Sequence, residues 1–434
     1  MKIGLEVHVA LPTQSKLFCS CSTNAQDPNT AICPTCMGVP GSKPTLNKGA
    51  LEYAVGVAKA LKCKVPETTS FVRKVYFYPD LPKSFQVTQK DSAVGTDGEI
   101  AIEKGKKIGI MRVQLEEDPA KIMRQDDYTL IDFNRSGIPL VEIVTEPDIG
   151  SEDELRMFMT ELKSILYYVG IDIDRELKAD LNISVSKARV EVKNVTGMKN
   201  LIDATRYEVQ RQEKLVKTGQ EILQETRSYS EAETQTISSR EKESDEEYGF
   251  IFEPDLTVYA LKVIKDAKPV YASMLASDYA KKYKAKESTL RELIMFNSTN
   301  LALIDSARDR HDMKAIITAV ELLQRYATKK ANPSVFEQLV AIVEKGAYPD
   351  KEMMLKIEAG ASASASASIS VGASNDDIDG EIERLIKENS KLLAEYKKNP
   401  KVFNFIIGAV IKKYKSNPRI VSERLEHILK KEHN

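Results

Sequence analysis

The sequence predicts an α+β protein: a large domain built on an antiparallel sheet, then a helical domain, then a small all-α tail. Three observations lead there. Segments of strict apolar–polar alternation recur from residue 2 to residue 193, and each gives a strand one polar face. Amphipathic helices are interspersed among them, and two of these suffice to cover the other face of the sheet. Beyond residue 257 the spacing becomes helical, interrupted at 359–377 by alternating Ala and Ser. The boundaries follow: 1–257 for the sheet domain, with a cysteine site at 19–36, then 258–358 helical, 359–377 a flexible linker, and 378–434 a basic helical tail.

The first strand carries the most information. In Lys2-Ile-Gly-Leu-Glu-Val-His-Val-Ala10, Ile3, Leu5, Val7 and Val9 face one way, and Gly4, Glu6 and His8 the other. Side chains two apart on a strand stand roughly 6.6 Å apart, so Glu6 and His8 are offered side by side. Next come Cys19-Ser-Cys21 and Cys33-Pro-Thr-Cys36, two close pairs separated by a short loop. Four thiolates so spaced suit a tetrahedral Zn2+ with no open position, hence a structural metal; free buried thiols are the other reading. The odd total of five cysteines, without a secretion signal, points to a reducing cytoplasm. Gly38 is expected to let the backbone pass close to sulfur.

Leu46–Leu61 has a helical stripe. Arg73 to Lys83 then crowds basic and aromatic residues, including Lys74 and Tyr76, into a segment that two prolines hold extended. It suits either a phosphate cradle or a solvated loop. Ile110–Asp118 alternates and ends in Glu116-Glu117-Asp118, acids that repel one another unless a cation lies there. Leu130 begins a strand running to a turn at Gly137, and Leu140–Ile143 resumes it. Ser151 and Glu154 form a capping box for a helix that stops at Gly170. A hairpin follows, with Asp180, Asn182 and Ser184 on one polar face and Arg189, Glu191 and Lys193 on the next strand. Asn200–Thr218 is helical and ends at Gly219. If these strands share one sheet, Glu6, His8, Glu116, Asp180 and Glu191 line its open face, suited to a nucleotide held through Mg2+ and to phosphoryl transfer. Neither a P-loop nor a Rossmann glycine pattern is present.

Charge is balanced, with 63 basic and 64 acidic residues, so nucleic-acid contacts must be local. Residues 389–434 hold an excess of seven positive charges, among them Lys412, Lys413, Lys415 and Arg419. On a tether, this module reads as an RNA-backbone binder or as a solvated lysine surface. No apolar run is long enough for a membrane span.

Several stretches together resemble GatB, a subunit of the aspartyl/glutamyl-tRNA amidotransferases, in the GatB/GatE family. They are Gly4-Leu-Glu-Val-His8, Arg73-Lys74 with Tyr76-Phe-Tyr-Pro-Asp-Leu-Pro-Lys83, Leu115-Glu-Glu-Asp118, Asp132-Phe-Asn-Arg135, Gly137 to Glu142, Glu146-Pro-Asp148, Val190 to Asn194, Gln224 to Arg227 and Glu253 to Leu256. The resemblance covers residues 1–257 closely, and beyond them it is one of layout. It implies a glutamine synthetase-like catalytic domain with a zinc-binding insertion. It also implies a ligase that forms carbon–nitrogen bonds: ATP activates the side-chain carboxylate of mischarged Glu-tRNA(Gln) or Asp-tRNA(Asn). Ammonia from a glutaminase partner, GatA, then amidates it, and a small third protein, GatC, completes a heterotrimer. The implied catalytic residues are Glu6, His8, Glu116, Glu117, Asp180 and Glu191, with Glu6, His8, Glu116 and Glu117 on Mg2+. Lys74, Tyr76, Lys83 and Arg135 would contact the nucleotide, and the four cysteines match zinc-bearing members. Two departures stand out. Tyr248-Gly-Phe-Ile251 replaces the Tyr-Arg-Tyr-Phe of many members, and the chain has no room for GatE's large insertion. A zinc-containing tRNA-binding scaffold without catalysis is the competing reading, and it gives no reason for five ligand-type residues on one open face.

Overall fold

A computed structural model describes residues 1–102, 105–171, 177–241 and 249–261, and, further on, 281, 303–304, 306–326, 333–358, 375–388, 401–414, 421–422, 424–425 and 428. The chain forms two compact units, Met1–Leu275 and Ala276–Asn434.

The first unit holds fifteen strands among its described residues. They are β1 (Lys2–Ala10), β2 (Thr68–Thr69), β3 (Val72–Val75), β4 (Phe85–Thr88), β5 (Gly95–Ala101), β6 (Lys107–Glu117), β7 (Lys121–Arg124), β8 (Thr129–Asp132), β9 (Pro139–Thr145), β10 (Lys178–Ser184), β11 (Val190–Thr196), β12 (Glu225–Ser230), β13 (Gln235–Glu241), β14 (Gly249–Phe252) and β15 (Tyr259–Ala260). Eleven form one sheet in the order β13-β12-β11-β10-β1-β9-β6-β4-β3-β14, with β5 also on β6. Every pairing in it is antiparallel except β11 with β12. β7 and β8 make a separate hairpin, and β2 pairs β15.

The alternation in β1 does what it predicts. Ile3, Leu5, Val7 and Val9 are buried in the core with Ile108, Ile110, Val113 and Leu115 of β6 and Val141 and Ile143 of β9. Three helices cover that face rather than two: α1 (Lys48–Ala60), α2 (Glu152–Val169) and α3 (Met198–Lys217) all add buried residues to this core. Asn47 caps α1 by accepting from the Ala50 N–H at 3.2 Å. Ser151 caps α2 from the Glu154 N–H at 3.2 Å, whereas the Glu154 carboxylate accepts from the Gly150 N–H at 2.7 Å, one residue before the cap. Gly170 ends α2 at φ 92°, a left-handed backbone that favours glycine.

In the second unit the described helices are α4 (Met313–Tyr326), α5 (Pro333–Glu344), α6 (Lys351–Glu358), α7 (Asn375–Glu388) and α8 (Lys401–Tyr414). The expected linker lies largely outside the described residues, although Asn375 already belongs to α7. Ile378, Ile382 and Leu385 of α7 share a core with Ile406 and Val410 of α8 and with Val421, Leu425 and Ile428. Of the tail's basic residues, Lys413 donates to Glu381 at 2.6 Å; Lys415 and Arg419 lie outside the described residues. No helix of the described residues is long and apolar enough to cross a membrane.

His311 precedes α4, with Nδ1 at 3.1 Å from Glu344 and Nε2 at 2.8 Å from Glu337, both on α5. Both nitrogens carry protons only in the imidazolium. Burial works against that charge, but the two carboxylates outweigh it, and the pKa of His311 lies above its ordinary value. The stabilisation is therefore complete below the unfolded-state value of about 6.5 and is lost as pH rises through the higher folded-state value. The urea midpoint of the helical unit should fall between pH 6 and pH 9, and His311→Gln should flatten that dependence.

Candidate metal and nucleotide site

Strand register brings the acids together. β1 lies between β10 and β9: Glu6 is opposite Asp180 on β10, and His8 is opposite Glu142 on β9. β11 adds Glu191, and β6 adds Glu116. Two groups result, each with its ligand atoms within 4.8 Å of one another. One is Glu6, Asp180 and Glu191; the other is His8, Glu116 and Glu142.

In the second group His8 Nε2 stands 3.3 Å from Glu116 Oε1 and 3.6 Å from Glu142 Oε1. Burial disfavours an imidazolium here, yet the hydrogen bonds and charges of Glu116 and Glu142 hold the His8 pKa well above its ordinary value. For Glu142, burial opposes ionisation but the bond from His8 prevails, and its pKa is lowered. In the first group the cation is a lysine at longer range, Lys193 Nζ at 3.9 Å from Glu191 Oε1. Glu6 is pushed up mainly by burial, then by Glu142, Asp180 and Glu191, while Asn182 donates to its Oε1 at 3.0 Å. Asp180 accepts from the Asn194 N–H at 2.7 Å, and Glu191 from the Thr226 hydroxyl at 3.0 Å. His8 Nδ1, Glu142 Oε2 and Asn182 Oδ1 are buried without a hydrogen-bond partner among the described residues. Oxygen-rich groups gathered within 4.8 Å, with polar atoms beside them that lack a hydrogen bond among the described residues, fit a hard divalent cation.

Both groups open on one cleft of about 640 Å³, the size of a nucleotide-binding pocket. Its lining is mixed: Glu6, Glu116, Glu142 and Glu191 stand with Lys74, Lys90, Lys187, Arg189 and Lys193, whereas His8 and Asp180 do not line it. Lys74 also stands 5.8 Å from the centre of the Tyr76 ring.

Glu142 is the residue that sequence reasoning missed. Its signal was a single acid inside the apolar run Pro-Leu-Val-Glu-Ile-Val, on the face opposite core residues Val141 and Ile143. Glu117 stands apart from both groups, because consecutive strand residues face opposite ways. It accepts from Lys83 Nζ at 2.6 Å and from the Val87 N–H at 3.1 Å, in a second cavity of about 250 Å³ that Cys36 and Lys16 also line. Arg135 donates to the carbonyls of Pro119 at 2.8 Å and Ala120 at 2.7 Å and faces Asp118 at 3.6 Å. Neither Arg135 nor Tyr76 lines the cleft.

The sulfurs of Cys19, Cys21, Cys33 and Cys36 also lie within 4.8 Å of one another, a cluster able to bind a metal. A hydrogen bond from the Cys19 thiol, helped by Lys16, lowers the Cys36 pKa to about 4, whereas burial raises Cys21 to about 11. The loop between the two pairs is clamped by the Asp132-Phe-Asn stretch: Asp132 accepts from the Asn29 N–H at 3.0 Å, and Asn134 from the Ala31 N–H at 2.8 Å. Gly38 sits at φ 71°, and a Cβ there would meet Lys83 Cγ at 2.7 Å. The close approach is thus to the Lys83 side chain, not to sulfur.

Fold and site first define a class: an α+β domain that gathers two acidic ligand groups and a four-cysteine cluster around one sheet. Residues 1–266 match the GatB/GatE catalytic domain. The chain is 37% identical over 453 residues to the GatB component of the aspartyl/glutamyl-tRNA(Asn/Gln) amidotransferase of Methanoregula boonei, covering 95% of this chain and 94% of the relative. It is 34% identical over 469 residues to the protein of the same name in Persephonella marina, covering 99% of each. The Sulfolobus acidocaldarius counterpart is 33% identical over 451 residues, with 95% of this chain and 96% of that one covered. The chain belongs to the GatB/GatE family.

Lys83 and Glu117 are an ion pair with side chains only 11% and 7% exposed. Removing one partner of such a pair strands the other charge, at a cost of about 3 kcal/mol. Lys83→Met should therefore lower the unfolding free energy by about 3 kcal/mol in urea titration, and adding Glu117→Gln should restore most of it.

Proposed function

We propose that this chain is the GatB component of a tRNA-dependent amidotransferase, the part that activates the substrate. It would use ATP to phosphorylate the side-chain carboxylate of Glu on tRNA(Gln), of Asp on tRNA(Asn), or of both. In the first step a carboxylate oxygen attacks the γ-phosphorus and ADP leaves. In the second, ammonia attacks the acyl carbon and phosphate leaves, giving the amide. Ammonia comes from glutamine at an amidase partner of the GatA type, braced by a GatC-type protein in a cytoplasmic heterotrimer. The catalytic domain is glutamine synthetase-like in this reading, and the four cysteines hold a structural zinc in an insertion at 19–36.

The observation that carries it is the pair of acidic groups whose Glu6, Glu191, Glu116 and Glu142 line one nucleotide-sized cleft, in a chain of this family. Glu6, Asp180 and Glu191 on one side, and His8, Glu116 and Glu142 on the other, would hold Mg2+. The metal, when bound, supplies positive charge to phosphate oxygens. The protein's own part is positioning. Asn182, Asn194 and Thr226 fix the carboxylates by hydrogen bonds, so little reorganisation is left for the reaction. Lys74, Lys90 and Lys187 place cationic ends along the cleft for the phosphate chain. A scaffold without catalysis leaves the orphaned buried atoms unexplained.

Reconstitution with the amidase and GatC-type partners tests this reading, with glutamine- and ATP-dependent amidation of each mischarged tRNA as the readout. Glu116→Gln and Glu142→Gln should each lower kcat by roughly a hundredfold or more, since charge developing on the phosphoryl group goes uncompensated. tRNA affinity should stay within about twofold, and Mg-ATP should raise the Tm of the wild-type chain. Near-normal kcat in both variants would overturn the assignment.

A further inference from the structure

Lys16 is a lysine in an unusual place. It is 1% exposed, the bulkiest of the fully buried side chains among the described residues. A buried ammonium is costly unless it is paired and hydrogen-bonded. Among the described residues no carboxylate forms an ion pair with it. Instead Nζ donates to the Phe133 carbonyl at 3.1 Å and to Cys36 Sγ at 3.7 Å. Its anionic partner among those residues is thus a sulfur of the cysteine cluster.

We propose that Lys16 is a positioning residue of the cysteine centre, an N–H···S donor that neutralises and orients the Cys36 thiolate against the metal. The inference rests on the reading of that cluster as a zinc site. Four thiolates around a divalent cation carry a net twofold negative charge, and Cys36 is the buried member of the set. A buried ammonium halves that charge where water is excluded. The carbonyl it also holds belongs to the stretch that clamps the loop between the cysteine pairs: the Phe133 N–H donates to Asn29 Oδ1 at 2.7 Å, and Asn134 Nδ2 to the Asp27 carbonyl at 2.6 Å. Lys16 therefore ties one ligand to the clamp that holds the loop between the two pairs. Such outer partners commonly govern metal affinity by ten- to a hundredfold.

The test uses the full chain, loaded with zinc and then competed with a chelator, and in parallel loaded with Co2+ for its thiolate charge-transfer band. Wild type should hold one zinc. Lys16→Met should hold it about tenfold or more weakly, and its cobalt band should move to lower energy, because a thiolate without its N–H donor gives up electrons more easily. Lys16→Arg, which keeps charge and donor, should recover most of both. Should Lys16→Met fail to fold, Lys16→Gln keeps a donor for Phe133 but no charge, and its zinc affinity should still fall. Wild-type affinity and an unmoved band in Lys16→Met, or wild-type affinity in Lys16→Gln, would overturn the role of Lys16. A wild-type chain that folds and binds no zinc would instead overturn the zinc reading, and the proposal with it.

Discussion

The architecture depends on one burial problem: carboxylates brought face to face at the middle of a sheet. Glu6 is directly opposite Asp180, and like charges opposite one another on a sheet are destabilising. Glu6, Asp180, Glu191, Glu116 and Glu142 are all buried or nearly so. Positive charge has to compensate for this, and β1 divides the demand in two. Glu6 turns toward β10 and β11, and His8 toward β9 and β6. On the His8 side Glu116 and Glu142 hold the imidazole pKa well above its ordinary value, against its own desolvation. On the Glu6 side neutralisation falls partly on the carboxyl itself, whose pKa rises. The permanent cations nearest them, Arg112 at 3.7 Å from Glu142 and Lys193 at 3.9 Å from Glu191, stand too far for a direct hydrogen bond.

The rest of the domain serves that arrangement. A cluster of acids cannot be held on loops, because repulsion would spread it. Here the acids are held by ladder hydrogen bonds of five adjacent strands, and by the three helices packed on the opposite face. Where the ladder thins, side chains take its place. β4 and β6 share only the Thr88 with Glu116 pairing, and the Glu117 carboxylate accepts from the Val87 N–H while Gln89 accepts from the Leu115 N–H at 2.8 Å. Glu116 and Glu117 thus do opposite jobs one residue apart: one floors the cleft, and the other mends the sheet behind it and holds Lys83.

The parts legible in the sequence were those governed by local periodicity. β1, β6, β10 and β11 alternate cleanly, α1 shows an apolar stripe, α2 a stripe with a glycine stop, and α3 a glycine stop, so these elements could be read directly. β12 and β13 were not, because Glu-Thr-Arg-Ser-Tyr-Ser and Gln-Thr-Ile-Ser-Ser-Arg-Glu contain almost no apolar alternation. β12 and β13 are held by pairing and by the buried Glu208, which accepts from Arg211 at 2.7 Å and from the Thr236 hydroxyl at 2.9 Å. Strands stabilised by a long-range polar network leave no period to find. For the site, parity separated Glu116 from Glu117, but an acid triplet invites reading them together. Glu142 was hidden for the opposite reason: β9 is buried on both faces, and its run looks like plain core.

The two acidic groups and the cysteine centre are separate in chemistry, but they meet in the sheet. β6 carries Glu116 into the cleft and Glu117 into the cavity beside the cysteines. Gly38, in the turn after Cys36, lies against Lys83, and Lys83 holds Glu117. A side chain at position 38 would push on Lys83 first, and through its partner on the strand that places Glu116. The chain of contact runs through rigid pieces: a tight turn, a buried ion pair and one β-strand. The turn after Cys36 thus borders the Lys83–Glu117 pair, and Glu117 in turn bonds the Val87 N–H where β6 and β4 share a single ladder pairing. A metal held by the four cysteines would stiffen that loop without requiring a core of its own, since it would tie four ligands in a short span.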